Sequence, residues 1–279
     1  MKALDPMERK LLVMDLDGTV LADDYSMPEV NRQALRRFRE AGHVSAYATG
    51  RRDVDMRAMG DDNWLVDYHI INNGGKIIRC EDRQVIVLER MDPEECKKLL
   101  DYCIENDLQL QISDRNLWMT NKMTQSTQEY IEYLKESPLM VRSSDEVYWQ
   151  EGFEHAMASQ DMWPVKAFVD ENLTRIKGVL SQDDVVDFMP VYLTKWRGIQ
   201  RLAELLDILP ENIVTVGNHY NDIEMTEGAG IGIAVANSVP ALKDAADYVT
   251  QSDNNDGALQ EIVDGIIEGR YLSKNRRNS

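Results

Sequence analysis

Cysteine is scarce in this chain: three in 279 residues, at positions 80, 96 and 103. So few exclude a disulfide framework, and no C-x-x-C pair offers thiolate ligands to a metal. Long apolar runs are missing as well. None approaches the roughly 20 residues needed to cross a bilayer, and no leader-like apolar segment follows the first residues. Basic residues are short, with 31 Lys and Arg against 49 Asp and Glu, a formal net charge of −18. That deficit argues against nucleic acid or an anionic membrane surface as a partner, since both require a basic footprint. A reducing cytoplasmic setting is the expectation, with the chain a monomer or homodimer.

What the chain does have is 43% hydrophobic residues and a length suited to one large domain or two modest ones. Its first third alternates strand and helix. Leu11–Met14 reads as a short buried strand. Ser26 to Glu29 reads as a capping box, with Val30, Ala34, Leu35 and Phe38 on the apolar stripe of the helix that follows. Val44 to Ala48 and His69 to Asn72 read as further strands. This pace implies a parallel α/β sheet.

The middle changes character. A helix opens at Asp92-Pro93, and Leu108 to Ile112 alternates strictly, as a strand with one wet face would. Further strands are expected at Leu117 to Thr120, Val165 to Val169 and Val185 to Met189, and helices at Gln125 to Leu134 and Glu171 to Leu180. Trp118 and Trp163 could line a substrate pocket or simply pack. From Leu193 the parallel pattern resumes: a helix to Leu206, a strand at Ile213–Val216, a short helix, a strand at Ile231–Val235, a helix starting at Ser238-Val239-Pro240 and a last helix. A polar tail, Lys274 to Ser279, is expected to be disordered. The economical reading is one α/β domain, residues 1–83 and 191–279, interrupted by an α+β module at 84–190.

Polar clusters follow the strands at their carboxyl ends, the edge where open parallel sheets bind ligands. Asp15-Leu16-Asp17-Gly18-Thr19 follows the first strand. Two carboxylates so spaced suit phosphoryl transfer, one attacking phosphorus and the other protonating the leaving oxygen. Thr49-Gly50-Arg51 follows the second and offers a hydroxyl and backbone N–H groups. Gly217-Asn218-His219-Tyr220-Asn221-Asp222 follows Val216. Thr194 reads as a helix cap, which places Lys195 against the helix dipole, a position that favours a bound anion. Arg197 could serve the same end.

Together these clusters resemble the haloacid dehalogenase-like (HAD) superfamily, and within it the Cof-type phosphatases with a large α+β cap. The resemblance spans nearly the whole chain and favours Lys195 over Arg197. It implies a Rossmann-like core with an inserted cap that closes over it, excludes water and chooses the substrate. Asp15 would be the nucleophile forming an aspartyl-phosphate, and Asp17 the general acid and then base. Thr49, Gly50, Lys195 and Asn221 would bind phosphate. Mg²⁺ would be held by Asp15, the Asp17 carbonyl, Asn218 and Asp222. Asn72 to Gly75 is similar to the segment entering the cap.

Two positions depart from the family pattern: Asn218 stands where Asp is usual, and Trp196 where Gly is usual. The implied activity is hydrolysis of a small phosphorylated metabolite, a sugar phosphate among the possibilities. Its rivals are a catalytically weak or silent phospho-ligand or metal sensor, and a sugar phosphomutase.

Overall fold

The computed structural model describes residues 8–147, 151–182 and 184–274. They fall into two compact units. The first comprises residues up to Thr49, then Asp61–Ile86 and Thr194 onward; the second comprises Gly50–Gly60 and Val87–Leu193. The second unit thus takes the long stretch from Val87 to Leu193 together with the short segment after Thr49. The fold is α/β with a parallel-strand sheet in the first unit.

That sheet has eight strands, in the order Tyr248–Val249, Ile231–Ala234, Ile213–Gly217, Leu11–Met14, Val44–Ala48, Tyr68–Ile71, Lys76–Arg79 and Gln84–Leu88. The strands from Tyr248–Val249 to Tyr68–Ile71 are parallel, and Lys76–Arg79 turns back antiparallel. Leu11–Met14 lies near the middle and is wholly buried, which is why it reads as an unbroken apolar run. In register, Met14 stands beside both Val216 and Tyr47. Asp15, the residues after Gly217 and Thr49 therefore leave the sheet at one edge.

The helix Glu29–Glu40 crosses from the first strand to the second. Its cap position is Pro28, with no side-chain hydrogen bond, so Ser26 does not cap it. The buried stripe is Asn31, Ala34, Leu35 and Phe38, while Val30 is exposed. Asn31 displaces Val30 from the core because its Nδ2 donates to the Val20 carbonyl at 3.0 Å, which satisfies a buried acceptor.

The second unit holds a six-stranded sheet in the order Ile176–Gln182, Val185–Pro190, His155–Ala158, Gln111–Asp114, Leu117–Thr120 and Leu139–Met140. Helices Pro93–Glu105 and Met162–Asn172 supply Cys96, Leu99, Leu100, Cys103, Val165 and Val169 to one apolar core with Ile112, Ala156 and Phe188 of the sheet. Two expectations are reversed here. Residues 165–169, read as strand from their β-branched and aromatic content, are helical, with Val165 and Val169 one turn apart on the buried face. Residues 176–180, read as helix, are strand.

Glu95 is the reason the chain changes state between the two. Its buried carboxylate accepts from the backbone N–H groups of Thr174, Arg175 and Ile176 at 2.9–3.0 Å, just after the helix ends. Nor is the alternating 108–112 stretch wet on its glutamine side. Gln109 and Gln111 are both fully buried, and Gln109 bonds Thr124, Thr127 and Ser159. Most of the polar tail expected to be disordered, from residue 275 on, lies outside the described residues.

Glu95→Ala removes at once the acceptor of three backbone N–H groups and of the Thr174 hydroxyl. We expect a loss of about 2–3 kcal/mol in unfolding free energy, against less than about half that for Glu95→Gln, which retains an acceptor. Denaturant titration of both variants measures the difference.

Candidate active site

The Asp15 loop leaves the sheet with its first backbone N–H still bonded to Val216, at 2.9 Å. The chain then wraps tightly. The N–H groups of Thr19, Val20 and Leu21 all point back to the Leu16 carbonyl, and Gly18 takes a φ of +68°. A side chain at Gly18 would be strained by that backbone alone. Its Cβ would also stand 2.4 Å from the Asn218 amide nitrogen, so glycine lets the two loops meet. Thr19 steadies Asp15 through Oγ1 to Oδ2 at 3.2 Å.

Lys195 is the first residue of helix Lys195–Leu205, which Thr194 caps by accepting from the Arg197 N–H at 3.2 Å. The helix start is pulled onto the sheet edge by close backbone packing. A Cβ on Gly74 would lie 2.3 Å from the Thr194 carbonyl oxygen, and one on Gly198 would lie 2.8 Å from the Gly74 Cα. Asn72-Asn73-Gly74 therefore shapes the turn on which this helix rests. Asn73 N–H also bonds the Thr49 carbonyl at 3.0 Å.

Lys195 Nζ donates to Asp15 Oδ1 and to Asp222 Oδ1, each at 2.7 Å. All three groups are buried: Lys195 is 3% exposed, Asp15 7% and Asp222 0%. The other oxygen of Asp222 accepts the N–H groups of Asn218 and His219 at 2.9 and 3.1 Å, folding the Gly217–Asp222 loop around itself. Gly217 must be glycine here, since its Cβ would meet the Asp222 side chain at 2.5 Å. Burial, reinforced by the Asp222 and Asp17 charges and opposed by Lys195, pushes the Asp15 carboxyl up to about 7. Burial alone would lower Lys195, but the two carboxylates outweigh it and hold the ammonium above its ordinary value.

Asp15, Lys195 and Asp222 thus meet directly, and Asn218 lies against Gly18. Thr49 is buried, its N–H bonded to the Ile70 carbonyl at 2.9 Å. Asp17 and Asn221 are half-buried in the two loops. Gly50 opens the segment that clusters with the second unit. Arg197 is exposed on the Lys195 helix. Trp196 packs: a Cβ on Gly228 would meet its indole at 2.3 Å, so the ring covers a neighbouring glycine.

The residues fit a hard cation in donor type. Two carboxylates, an amide oxygen and a backbone carbonyl are the oxygen ligands Mg²⁺ favours. No cluster of three or more Asp, Glu, His or Cys side chains able to hold a metal occurs among the described residues.

Sequence reasoning missed the supports of these loops. Asn237 Nδ2 donates to the Gly18 carbonyl at 2.8 Å, and Asn254 Nδ2 to the Leu21 carbonyl at 3.1 Å. Ser238 Oγ donates to the Gly217 carbonyl at 3.1 Å. Of these only Ser238 stands in a run the sequence marks, as the start of a helix, and Val239 takes the cap position of that helix, Pro240–Ala245. A second group went unread in the inserted unit, where Gln111 Nε2, Ser113 Oγ and both His155 ring nitrogens are buried without a hydrogen-bond partner. Asp187 stands 3.3 Å from His155 Nε2, and Trp118 is buried against Gln111 Oε1 at 2.9 Å. Trp163, by contrast, is 58% exposed.

A carboxyl with a folded value near 7 against 3.8 unfolded binds a proton in the fold that the unfolded chain has released. Its contribution to stability is therefore lost as pH rises across that window. We expect the Tm of Asp15→Asn, relative to the unaltered protein in a chelator, to climb as pH rises from about 5 to about 8. A difference independent of pH in thermal melts would refute the assignment.

A family model of haloacid dehalogenase-like hydrolases matches residues 12–262. The chain is 25% identical over 294 residues to the 5-amino-6-(5-phospho-D-ribitylamino)uracil phosphatase YwtE of Bacillus subtilis, covering 94% of this chain and 99% of that one. Among solved structures it superposes on a haloacid dehalogenase-like hydrolase from Bacteroides thetaiotaomicron with a TM-score of 0.82 at 24% identity, over 92% of this chain and 99% of that one. On the HAD subclass IIB sugar phosphatase BT4131 the TM-score is 0.79 at 21% identity, over 92% and 99%. With the fold, the sheet-edge loops and a family match over most of its length in agreement, this chain belongs to the haloacid dehalogenase-like hydrolases.

Proposed function

We propose that the protein is a Mg²⁺-dependent phosphatase that hydrolyses a small phosphorylated metabolite through an aspartyl-phosphate on Asp15. One observation carries the reading: a buried lysine bonded to two buried carboxylates at the ligand-binding edge of the sheet. As a purely structural ion pair, this arrangement would be a costly use of three desolvated charges. As a site for a phosphate ester it is coherent, because Lys195 can turn from the carboxylates to the incoming anion.

Asp15 attacks phosphorus, and the P–O bond to the leaving group breaks as Asp17 delivers its proton to the departing oxygen. Water then attacks the acyl phosphate, Asp17 takes the water's proton, and inorganic phosphate leaves with the Asp15 carboxylate restored. Thr49, Lys195, Asn221 and the backbone at Gly50 hold the phosphate oxygens. Thr19 keeps Asp15 oriented. Asp15, Asn218, Asp222 and the Asp17 carbonyl would hold the cation. A bound Mg²⁺ supplies positive charge that keeps Asp15 ionised and offsets its repulsion from a phosphate dianion.

The relatives' names favour a phosphorylated polyol or sugar as substrate, since YwtE is named for a phosphoribityl compound and BT4131 is described as a sugar phosphatase. Substrate choice is assigned to the inserted unit, as in the capped relatives that the chain resembles. The three thiols form no disulfide, which suits a cytoplasmic enzyme.

Phosphate release from phosphorylated sugars and polyols, measured with Mg²⁺ and without any bisphosphate activator, tests the reading against a mutase and a silent sensor. Asp15→Asn is expected to lower kcat by at least about 10³-fold. Steady release by that variant would overturn the role of Asp15. Restoring the usual acid with Asn218→Asp is expected to lower the Mg²⁺ concentration at half-maximal activity by several-fold, and an unchanged value would refute the role of Asn218.

A further inference from the structure

Asn218 alters how the proposed cation site is assembled, not only how strongly it binds. Its backbone is fixed on both sides: the N–H donates to Asp222 Oδ2 at 2.9 Å, and the carbonyl accepts from Val239 at 3.0 Å. Its side-chain amide is held against Gly18, in the loop that carries Asp15 and Asp17. The side chain therefore faces the loop that carries two of the proposed cation ligands while contributing no charge. Only Asp15 and Asp222 then offer side-chain carboxylates, and Lys195 already bonds both at 2.7 Å. Among the ligand side chains themselves, two carboxylates less one ammonium leave a single net negative charge to attract a dication, with the Asp17 carboxylate nearby but not a ligand. That is little for an ion that dehydrates reluctantly and demands near-octahedral oxygen coordination.

A phosphate group changes this in two ways. It brings an anionic oxygen to the cation, replacing the charge that Asn218 lacks. It also competes for Lys195, releasing Asp15 and Asp222 from their shared counter-ion. Both effects have the same sign. We propose that in this chain Asn218 makes cation binding conditional on phosphate: the metal and the phosphoryl group load as a pair, and the cation is held weakly alone. A carboxylate at position 218 would loosen that condition by supplying the missing charge from the protein. The proposal rests on the phosphatase reading above, because it takes the same residues as the phosphate and cation ligands.

Binding, not turnover, tests it. Isothermal titration of the full chain with Mg²⁺, with and without saturating inorganic phosphate, gives the coupling factor. Coupling of the usual size, roughly 5- to 150-fold, is expected in the unaltered protein, and the affinity for inorganic phosphate must rise by the same factor when Mg²⁺ is present. In Asn218→Asp the factor is expected to fall below about 5-fold, because Mg²⁺ alone now binds more tightly.

Equal Mg²⁺ affinity with and without phosphate, or a factor that Asn218→Asp leaves unchanged, overturns the inference. If that variant does not fold, the reciprocal titrations of the unaltered protein decide alone, and no coupling there overturns it. Phosphate release with uncoupled binding sinks this inference but spares the phosphatase reading. No phosphate release together with no binding of either ion sinks both.

Discussion

Three charges, Lys195 between Asp15 and Asp222, hold this half of the molecule to its purpose. Each is buried and costly to desolvate, and none is tolerable without the other two. The surrounding fold serves to bring them together from three distant stretches of sequence. The parallel register places Met14 and Val216 side by side, so the loops that follow them leave the sheet together. The helix that begins at Lys195 is set down on the same edge by glycines at 74 and 198, which let backbones touch where any side chain would separate them.

The same triad resolves an apparent contradiction in composition. A chain with a net charge of −18 is an unpromising partner for a phosphate ester. In the proposed reading the site answers locally: a dication held by these oxygen ligands, together with the Lys195 ammonium at the start of a helix, would reverse the field over a few ångströms while the surface stays acidic. Asn218 belongs to this balance. In the proposed site, the missing negative charge would ease the approach of the phosphate and weaken the hold on the cation.

Much of this was legible because the site residues lie in short runs whose chemistry is local. Asp15-Leu-Asp-Gly-Thr, Thr49-Gly, Lys195 after a capping threonine, and the Gly217–Asp222 loop each announce a turn at a strand end or a helix start. The parallel sheet followed from the strand–helix alternation. What the sequence hid was tertiary. Val165–Val169 looks like strand by residue type, and only burial of every fourth residue makes it helix. The strand at Ile176 depends on a carboxylate from Glu95, 81 positions away. Asn31 outcompetes Val30 for the core through one bond to Val20. Asn237 and Asn254, which brace the Asp15 loop from the far end of the chain, belong to no run that periodicity or capping rules can read.

The central claim is that Asp15 itself takes the phosphoryl group, and chemical trapping tests it most directly. Enzyme quenched in acid during turnover of a phosphate ester, then reduced with borohydride, should carry homoserine in place of aspartate at position 15 in its peptide mass spectrum. Reduction at Asp17 or Asp222 instead, or phosphate release with no trapped residue at any quench time, would contradict the account.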